Sequence, residues 1–358
     1  MISSILNSYN INQGALVEPL TSGLINRTWK ITDGENQFIL QQINTQVFKK
    51  PFEVASNIRQ IKEYLKEHAP TYLFVSPITD KSGQDIVHDE QEGFFRVFPF
   101  IKGSHTINVV SSPEQAYEAA FQFGTFSSLL SGFDTQKLHA TIPDFHNLTL
   151  RYQQFEHSLK NGNKNRIDQG SELIEYLKKR VEIVEVFERL RKDPAVKQRV
   201  THHDTKISNV LFNPSGSGMC VIDLDTIMPG YFISDVGDMM RTYLSPANEE
   251  ENDFSKIEVR EDFFRAIVQG YGEAMKNELT EAERKLITYS GAFLVYMQAL
   301  RFLTDYLNDD IYYGASYEEH NFVRAGNQVE LLKRMEEKKE ILEEMVRLEN
   351  RKIRKSED

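Results

Sequence analysis

Only one cysteine, Cys220, stands in the 358 residues, so no disulfide can form within the chain. It lies in the apolar run Met219-Cys220-Val221-Ile222, where a buried, inert thiol is expected and not a nucleophile. Positive charge is also short. Lys and Arg number 42 against 53 Asp and Glu, a net charge of -11, which argues against the basic footprint of a nucleic-acid binder. No run approaches the roughly 20 apolar residues of a membrane span, so no membrane partner is expected. The first ten residues lack the basic and apolar regions of a secretory signal, and the cytoplasm is the expected compartment. Repeats and low-complexity segments are absent. What is present is ordinary for a soluble globular protein: 40% hydrophobic and 27% charged residues, enough for a large core. The length allows two domains or two lobes of one enzyme.

Read in order, the chain begins with strands. Residues 27–31 and 37–43 flank Asp33-Gly34, a hairpin signal. The small-residue turn 21–26 precedes them, with Gly23 and Asn26 where backbone can approach a ligand. Pro51 opens a helix, with Val54, Ile58, Ile61 and Leu65 at helical spacing. Further strands are expected at 72–77, 86–87 and 94–98. A short Pro- and Gly-flanked segment, 98–103, is the expected hinge. Beyond it the periodicity is helical at 113–130, 148–159, 171–190, 235–244, 254–275, 280–307 and 327–352. Thr280 is an expected N-cap. The last helix carries an apolar stripe, Val329, Leu332, Met335, Leu342, Met345 and Leu348, which suits packing along the large lobe with a solvated outer face. The pattern is α+β, with a small antiparallel lobe over residues 1–99 and a mainly helical lobe over 100–358.

Chemistry concentrates in residues 201–230. His202, Asp204 and Asn209 form H-x-D-x-x-x-x-N. A strand at 210–212, the turn 213–216 and a strand at 219–222 follow, ending in Asp223 and Asp225. Phosphoryl transfer needs an oriented acceptor hydroxyl, Mg²⁺ on phosphate oxygens and positive charge near the transferred group. Asp204 can accept the hydroxyl's proton or hydrogen bond. Asn209 and Asp223 offer oxygens to Mg²⁺, and Asp225 offers one to a second ion or supports the first. Lys206 can bring a cation to the γ-phosphate. His202 is expected to pin the loop. An isolated H-x-D or D-x-D is common, and Asp in a loop often caps a turn. A zinc or iron site is the other reading of His202 and His203, but no further His stands nearby at ligand spacing. An acidic protein can hold ATP where a local pocket is basic or filled by Mg²⁺.

The stretch resembles the aminoglycoside phosphotransferase and choline kinase superfamily, which has a protein-kinase-like fold. HHDTKISNVLF with VIDLDTIMPG is similar to the N-acetylhexosamine 1-kinases in particular. So are GLINRTW, FILQQINTQVFKKPFEVASNI, FRVFPFIKG and RFLTDYLNDDIYY, so the resemblance covers all but about the last 25 residues. It implies Asp204 as catalytic base and Asn209 and Asp223 as Mg²⁺ ligands. It implies Gly23 and Asn26 in the loop over the phosphates, and Phe98, Phe100 and Ile101 in the hinge that holds adenine. Arg301, Tyr312 and Tyr243 are implied as acceptor-sugar contacts. Physical reasoning alone leaves Arg301, in an apolar helical segment, either paired with Asp305 or meeting a ligand.

One position departs from the fold's usual pattern. The third strand of such kinases carries Lys or Arg toward the phosphates, and here Gln41 occupies that place, a hydrogen-bonding group without charge. The resemblance extends to this Gln. Glu53 and Asn57 are both candidates for the helical partner such a Lys would have. The expected activity is transfer of the γ-phosphate of ATP, with Mg²⁺, to the anomeric hydroxyl of an N-acetylhexosamine. Alternatives are another small-molecule acceptor (a different sugar, choline, homoserine, an aminoglycoside) or a catalytically silent nucleotide-binding scaffold. The expected partner is a small-molecule acceptor, and the chain is expected as a monomer or weak homodimer.

Overall fold

The computed structural model describes residues 2–20 and 25–355. Gly23, expected over the phosphates, lies outside the described residues. The chain divides into two compact units. The first comprises residues 1–106, 132–143 and 211–229, and the second 107–131, 144–210 and 230–358. The first unit thus runs past residue 99 and takes back two later segments.

The first unit carries α1 (Ile2–Ser8), β1 (Leu16–Leu20), β2 (Arg27–Asp33), β3 (Asn36–Gln42), α2 (Pro51–His68), β4 (Val87–Asp89) and β5 (Gly93–Pro99). The strands form one antiparallel sheet in the order β1-β2-β3-β5-β4. Asp33 pairs with Asn36 across a two-residue turn, and Gly34 takes φ +60°, a value that needs no Cβ. Alternation along the strands buries Ile31, Leu40, Phe95 and Val97 on one face. Ile5, Leu6, Tyr9 and Ile11 of the first segment cover that face. Neither α1 nor β1 was legible in the sequence. The stripe of α2 is buried at Val54, Ile58, Ile61 and Leu65 as its spacing predicts. The strand expected at 72–77 does not form: Pro70 and Pro77 bracket it and remove ladder donors, and only Ile78 bridges to Val97.

The second unit is mainly helical. Its helices are α3 (Pro113–Leu129), α4 (Leu148–Asn161), α5 (Lys164–Gln169), α6 (Ser171–Lys178) and α7 (Glu182–Leu190). Short strands follow: β6 (Arg199–Thr201), β7 (Val210–Phe212), β8 (Gly218–Val221) and β9 (Met228–Gly230), of which β8 and all but Val210 of β7 and Gly230 of β9 belong to the first unit. Then come α8 (Phe232–Tyr243), α9 (Glu261–Ala274), α10 (Glu281–Lys285), α11 (Ile287–Leu307), α12 (His320–Glu337) and α13 (Lys339–Lys355). Several expected helices are each two, broken by capping turns. Lys338 separates α12 from α13, where its Nζ donates to the Val259 carbonyl and Glu261. Leu342, Met345 and Val346 of α13 are buried, while Leu348 is exposed. α11 is the unit's central post, packed against α4, α8 and α12. Together the sheet unit and the helical unit make the α+β protein-kinase-like fold. Among the described residues no helix is long and apolar enough to cross a membrane.

Candidate active site

In the second unit the loop after β6 is built on two buried carboxylates of α8. Asp235 accepts from the backbone N–H groups of His202 (3.1 Å) and His203 (2.8 Å). Asp238 accepts from Thr205 N–H at 2.8 Å, and the Thr205 hydroxyl donates to the Asp235 carbonyl at 2.7 Å. Tyr243 closes the clamp by donating to the Thr205 carbonyl at 2.5 Å. His203 holds φ +67°, and its ring rests where Gly230 has no side chain; a Cβ there would stand 2.5 Å from Nε2. Buried His202 packs edge-on against Phe123, in keeping with a pinning role. Sequence reading missed Asp235 and Asp238 because helix-start acids resemble ordinary caps. Their signal was the spacing S-D-V-G-D directly after the motif.

The clamp presents Asp204 with its side chain partly exposed. Asn209 Nδ2 donates to the Asp204 carbonyl at 2.9 Å and to Oδ2 at 3.0 Å. That turns Asn209 Oδ1 away as an oxygen suited to a hard cation. Lys206 Nζ stands 3.4 Å from Asp204 Oδ2, a cation beside the candidate base. Burial pushes Asp235 up to about 7, helped by Asp238 and Asp204 and opposed by the two backbone N–H donors. Burial likewise raises Asp238, against the pull of Arg241.

Arg301 and Tyr312 meet in the same unit. They line a cavity of about 290 Å³ with Arg151, Gln154, Asp305 and Tyr313 among others. Arg301 Nη2 donates to Tyr312 Oη at 3.4 Å, and Nη1 to Gln298 at 3.3 Å. The expected alternative, an ion pair with Asp305, is not formed. The Asp305 carboxylate instead accepts from the backbone of Tyr312 (2.7 Å) and Tyr313 (2.8 Å) and from Asn321. The Arg301 guanidinium lies 5.4 Å from the Phe145 ring, and Phe145 and His146 both pack against His203 of the motif. One layer of rings thus lies between Arg301 and His203 of the Asp204 loop. His146 is held well below its ordinary pKa, first by burial and then by His203, Arg301, Arg241 and Arg151. Tyr243 does not belong here: it is fully buried and its hydroxyl is spent on Thr205, so its expected sugar contact is replaced by support of the loop.

The first unit holds the other expected residues. Asp223 ends the segment after β8 in the left-handed region, φ +60°, and is exposed. Asp225 is 1% exposed and ion-paired to Arg96, with Nη1 2.5 Å from Oδ1. This corrects its expected place as a metal ligand, since both oxygens already face a guanidinium. Asn26 donates to Asp225 Oδ2 at 2.8 Å. Gln41 accepts from Arg96 at 2.8 and 3.1 Å. Glu53 pairs with Lys50, and buried Asn57 bridges His139 and the Ile227 carbonyl, so neither serves Gln41. Phe98, Phe100 and Ile101 are half-buried, and Phe100 N–H donates to the Gln37 carbonyl at 3.1 Å. Cys220 is buried, its thiol pushed up to about 12, as an inert residue should be.

A divalent cation fits the donor set in each unit: an amide oxygen at Asn209 and an exposed carboxylate at Asp223. Among the described residues no group of three His, Cys, Asp or Glu side chains is gathered.

Known structures share this fold. An aminopropanol kinase associated with microcompartments is 15% identical, with TM-score 0.62 over 96% of this chain and 98% of that one. An amicoumacin kinase, in complex with AMP-PNP and Ca²⁺, is 16% identical with TM-score 0.63 over 92% of each chain. A choline kinase from Cryptosporidium parvum Iowa II is 15% identical with TM-score 0.55 over 96% of each. Residues 16–283 match the pattern of the APH phosphotransferases. With that match over most of its length, the chain belongs to the phosphotransferase enzyme family.

Proposed function

We propose that the protein is a Mg²⁺- and ATP-dependent kinase of the anomeric hydroxyl of an N-acetylhexosamine. The observation that carries the acceptor class is the cavity around Arg301 and Tyr312. Two guanidiniums, Arg151 and Arg301, line it, and its single carboxylate, Asp305, is turned to backbone N–H groups. Neither arginine is ion-paired among the described residues. A cationic acceptor such as choline would meet like charge here. A neutral sugar finds Arg, Gln and Tyr donors for its hydroxyls and acetamido oxygen, and ring faces for its apolar side.

In the proposed reaction Asp204 takes the hydroxyl proton as the sugar oxygen forms its bond to the γ-phosphorus and the bond to the ADP oxygen breaks. Asn209 keeps the Asp204 carboxylate oriented through Nδ2. Lys206 offers positive charge beside that carboxylate, and the α8 clamp fixes the loop carrying all three. Asn209 Oδ1 and Asp223 are the proposed Mg²⁺ ligands; bound Mg²⁺ would neutralise the phosphate oxygens.

ADP release from Mg·ATP, measured with GlcNAc, GalNAc, glucose, choline and an aminoglycoside, tests the reading. Release is expected with an N-acetylhexosamine and not with the cations. Arg301→Ala should raise the sugar KM about tenfold or more, the loss of a charged hydrogen bond of about 1.5–3 kcal/mol, with ADP affinity unchanged. Release with choline or the aminoglycoside alone would overturn the acceptor assignment. No release with any of the acceptors would favour a silent scaffold.

A further inference from the structure

The charge missing from β3 stands one strand away. Gln41 of β3 and Arg96 of β5 are register partners in the antiparallel pair. Arg96 is 1% exposed, a full charge held inside the first unit. Its Nε and Nη2 both donate to Gln41 Oε1, at 3.1 and 2.8 Å. Nη2 also donates to Asp225 Oδ2 at 2.8 Å, while Nη1 faces Oδ1. The guanidinium lies 5.0 Å from the ring of Phe98. Asp225 Oδ2 takes a further bond from Asn26, and Asn26 Oδ1 accepts from Asn44 N–H at 3.0 Å.

One buried cation therefore ties together the exit of the small-residue turn, β3, β5 and the turn after Asp223. Stability alone is a weak reason for such a pair, because burying two charges costs about as much as their attraction returns. A guanidinium bonded through Nε and Nη2, with Nη1 ion-paired to the same carboxylate, does give fixed geometry: its planar fork sets Asp225, Gln41 and, through Asp225, Asn26 at defined angles. Asp223 is two residues from the anchored carboxylate, on a short 3₁₀ turn with left-handed φ.

We propose that Arg96 is the positioning cation of the nucleotide site. It acts from β5, with Gln41 as its cradle and Asp225 as its counter-charge. It holds Asn26 and the Asp223 turn where a metal–nucleotide complex needs them. Asp225 is then the acid that completes the pair, since Glu53 of α2 pairs with Lys50 and Asn57 with His139 and Ile227. This inference rests on the reading of the first unit as nucleotide-binding, but not on the identity of the acceptor.

The test uses the full chain, with thermal melting and calorimetric binding of ADP with and without Mg²⁺. Arg96→Met combined with Asp225→Asn removes both charges and so leaves none buried alone. It should fold and bind Mg·ADP about tenfold more weakly or worse, with a smaller loss for ADP without metal. Gln41→Arg combined with Arg96→Gln exchanges the register partners and keeps a guanidinium beside Asp225. It should bind Mg·ADP to within about threefold of wild type. Folded variants in which the charge-free pair binds Mg·ADP as wild type does, or the exchanged pair recovers nothing, would overturn the proposal. Loss of folding in both would assign Arg96 to stability alone and overturn it too. A wild-type chain that binds no Mg·ADP would remove the nucleotide reading and this inference together, whereas failure of every sugar acceptor would leave it standing.

Discussion

Asp223 and Asp225 are two residues apart and chemically identical, and the fold gives them opposite work. One is exposed at a strand end, and the other is sealed against Arg96. Residue type and spacing placed both in the site, but which of them is buried in an ion pair depends on a guanidinium 129 residues upstream. Asp235 illustrates the same dependence through its titration. Its carboxyl is pushed up to about 7, mainly by burial. An unfolded Asp loses its proton near pH 4, so between about 4 and 7 the folded state holds a proton that the unfolded chain has released. The contribution of this group is therefore fully present below about pH 4 and is lost as pH rises through about 7. Urea unfolding at pH 5 and pH 8 should show the wild type losing stability over that interval. Asp235→Asn should be less stable at pH 5, having one acceptor for two N–H groups, and flatter between the two values. An unchanged pH slope in the variant would contradict the assigned pKa.

α8 organises the loop more than the motif itself does. It supplies Asp235 and Asp238 near its start and Tyr243 at its end, and all three act on residues 202–205. If Tyr243 braces the loop and touches no sugar, Tyr243→Phe should cost about 0.5–1.5 kcal/mol of stability, the worth of one hydrogen bond. It should lower kcat modestly and leave the acceptor KM unchanged. A rise in KM confined to the sugar would restore Tyr243 to the acceptor site. Elements with strong periodicity were legible in the sequence: α2 by its stripe, β2 and β3 by their turn, and α10 by the capping box of Thr280 with Glu283. α1 and β1 were not, because seven and five residues are too few to establish a period and their role is set by the sheet they cover. The 72–77 strand failed because a β-like composition between two prolines cannot enter a ladder. Long helical patterns did not reveal their breaks, since Leu286 and Lys338 are defined by caps and distant carbonyls.

The stretch that carries the chemistry is divided by the fold. Residues 201–210 belong to the helical unit and 211–229 to the sheet unit. The sequence placed Asp204, Asn209 and Asp223 in one motif, but it could not assign them to different bodies, because that division depends on which segments each core recruits. The cavity proposed for the acceptor was legible only as Arg301 in an apolar helix and Tyr312 beyond it; Arg151 joins them from α4, 150 positions earlier. The central claim, proposed above, is phosphate transfer from ATP to an anomeric hydroxyl, with Asp204 receiving the proton. Phosphorus NMR of the product formed from Mg·ATP and an N-acetylhexosamine tests it most directly. The account predicts one new phosphomonoester coupled to the anomeric proton, formed in step with ADP, and none with Asp204→Asn although that variant still binds ADP. Phosphate on any other hydroxyl, or product from the Asp204→Asn variant at the wild-type rate, would contradict it.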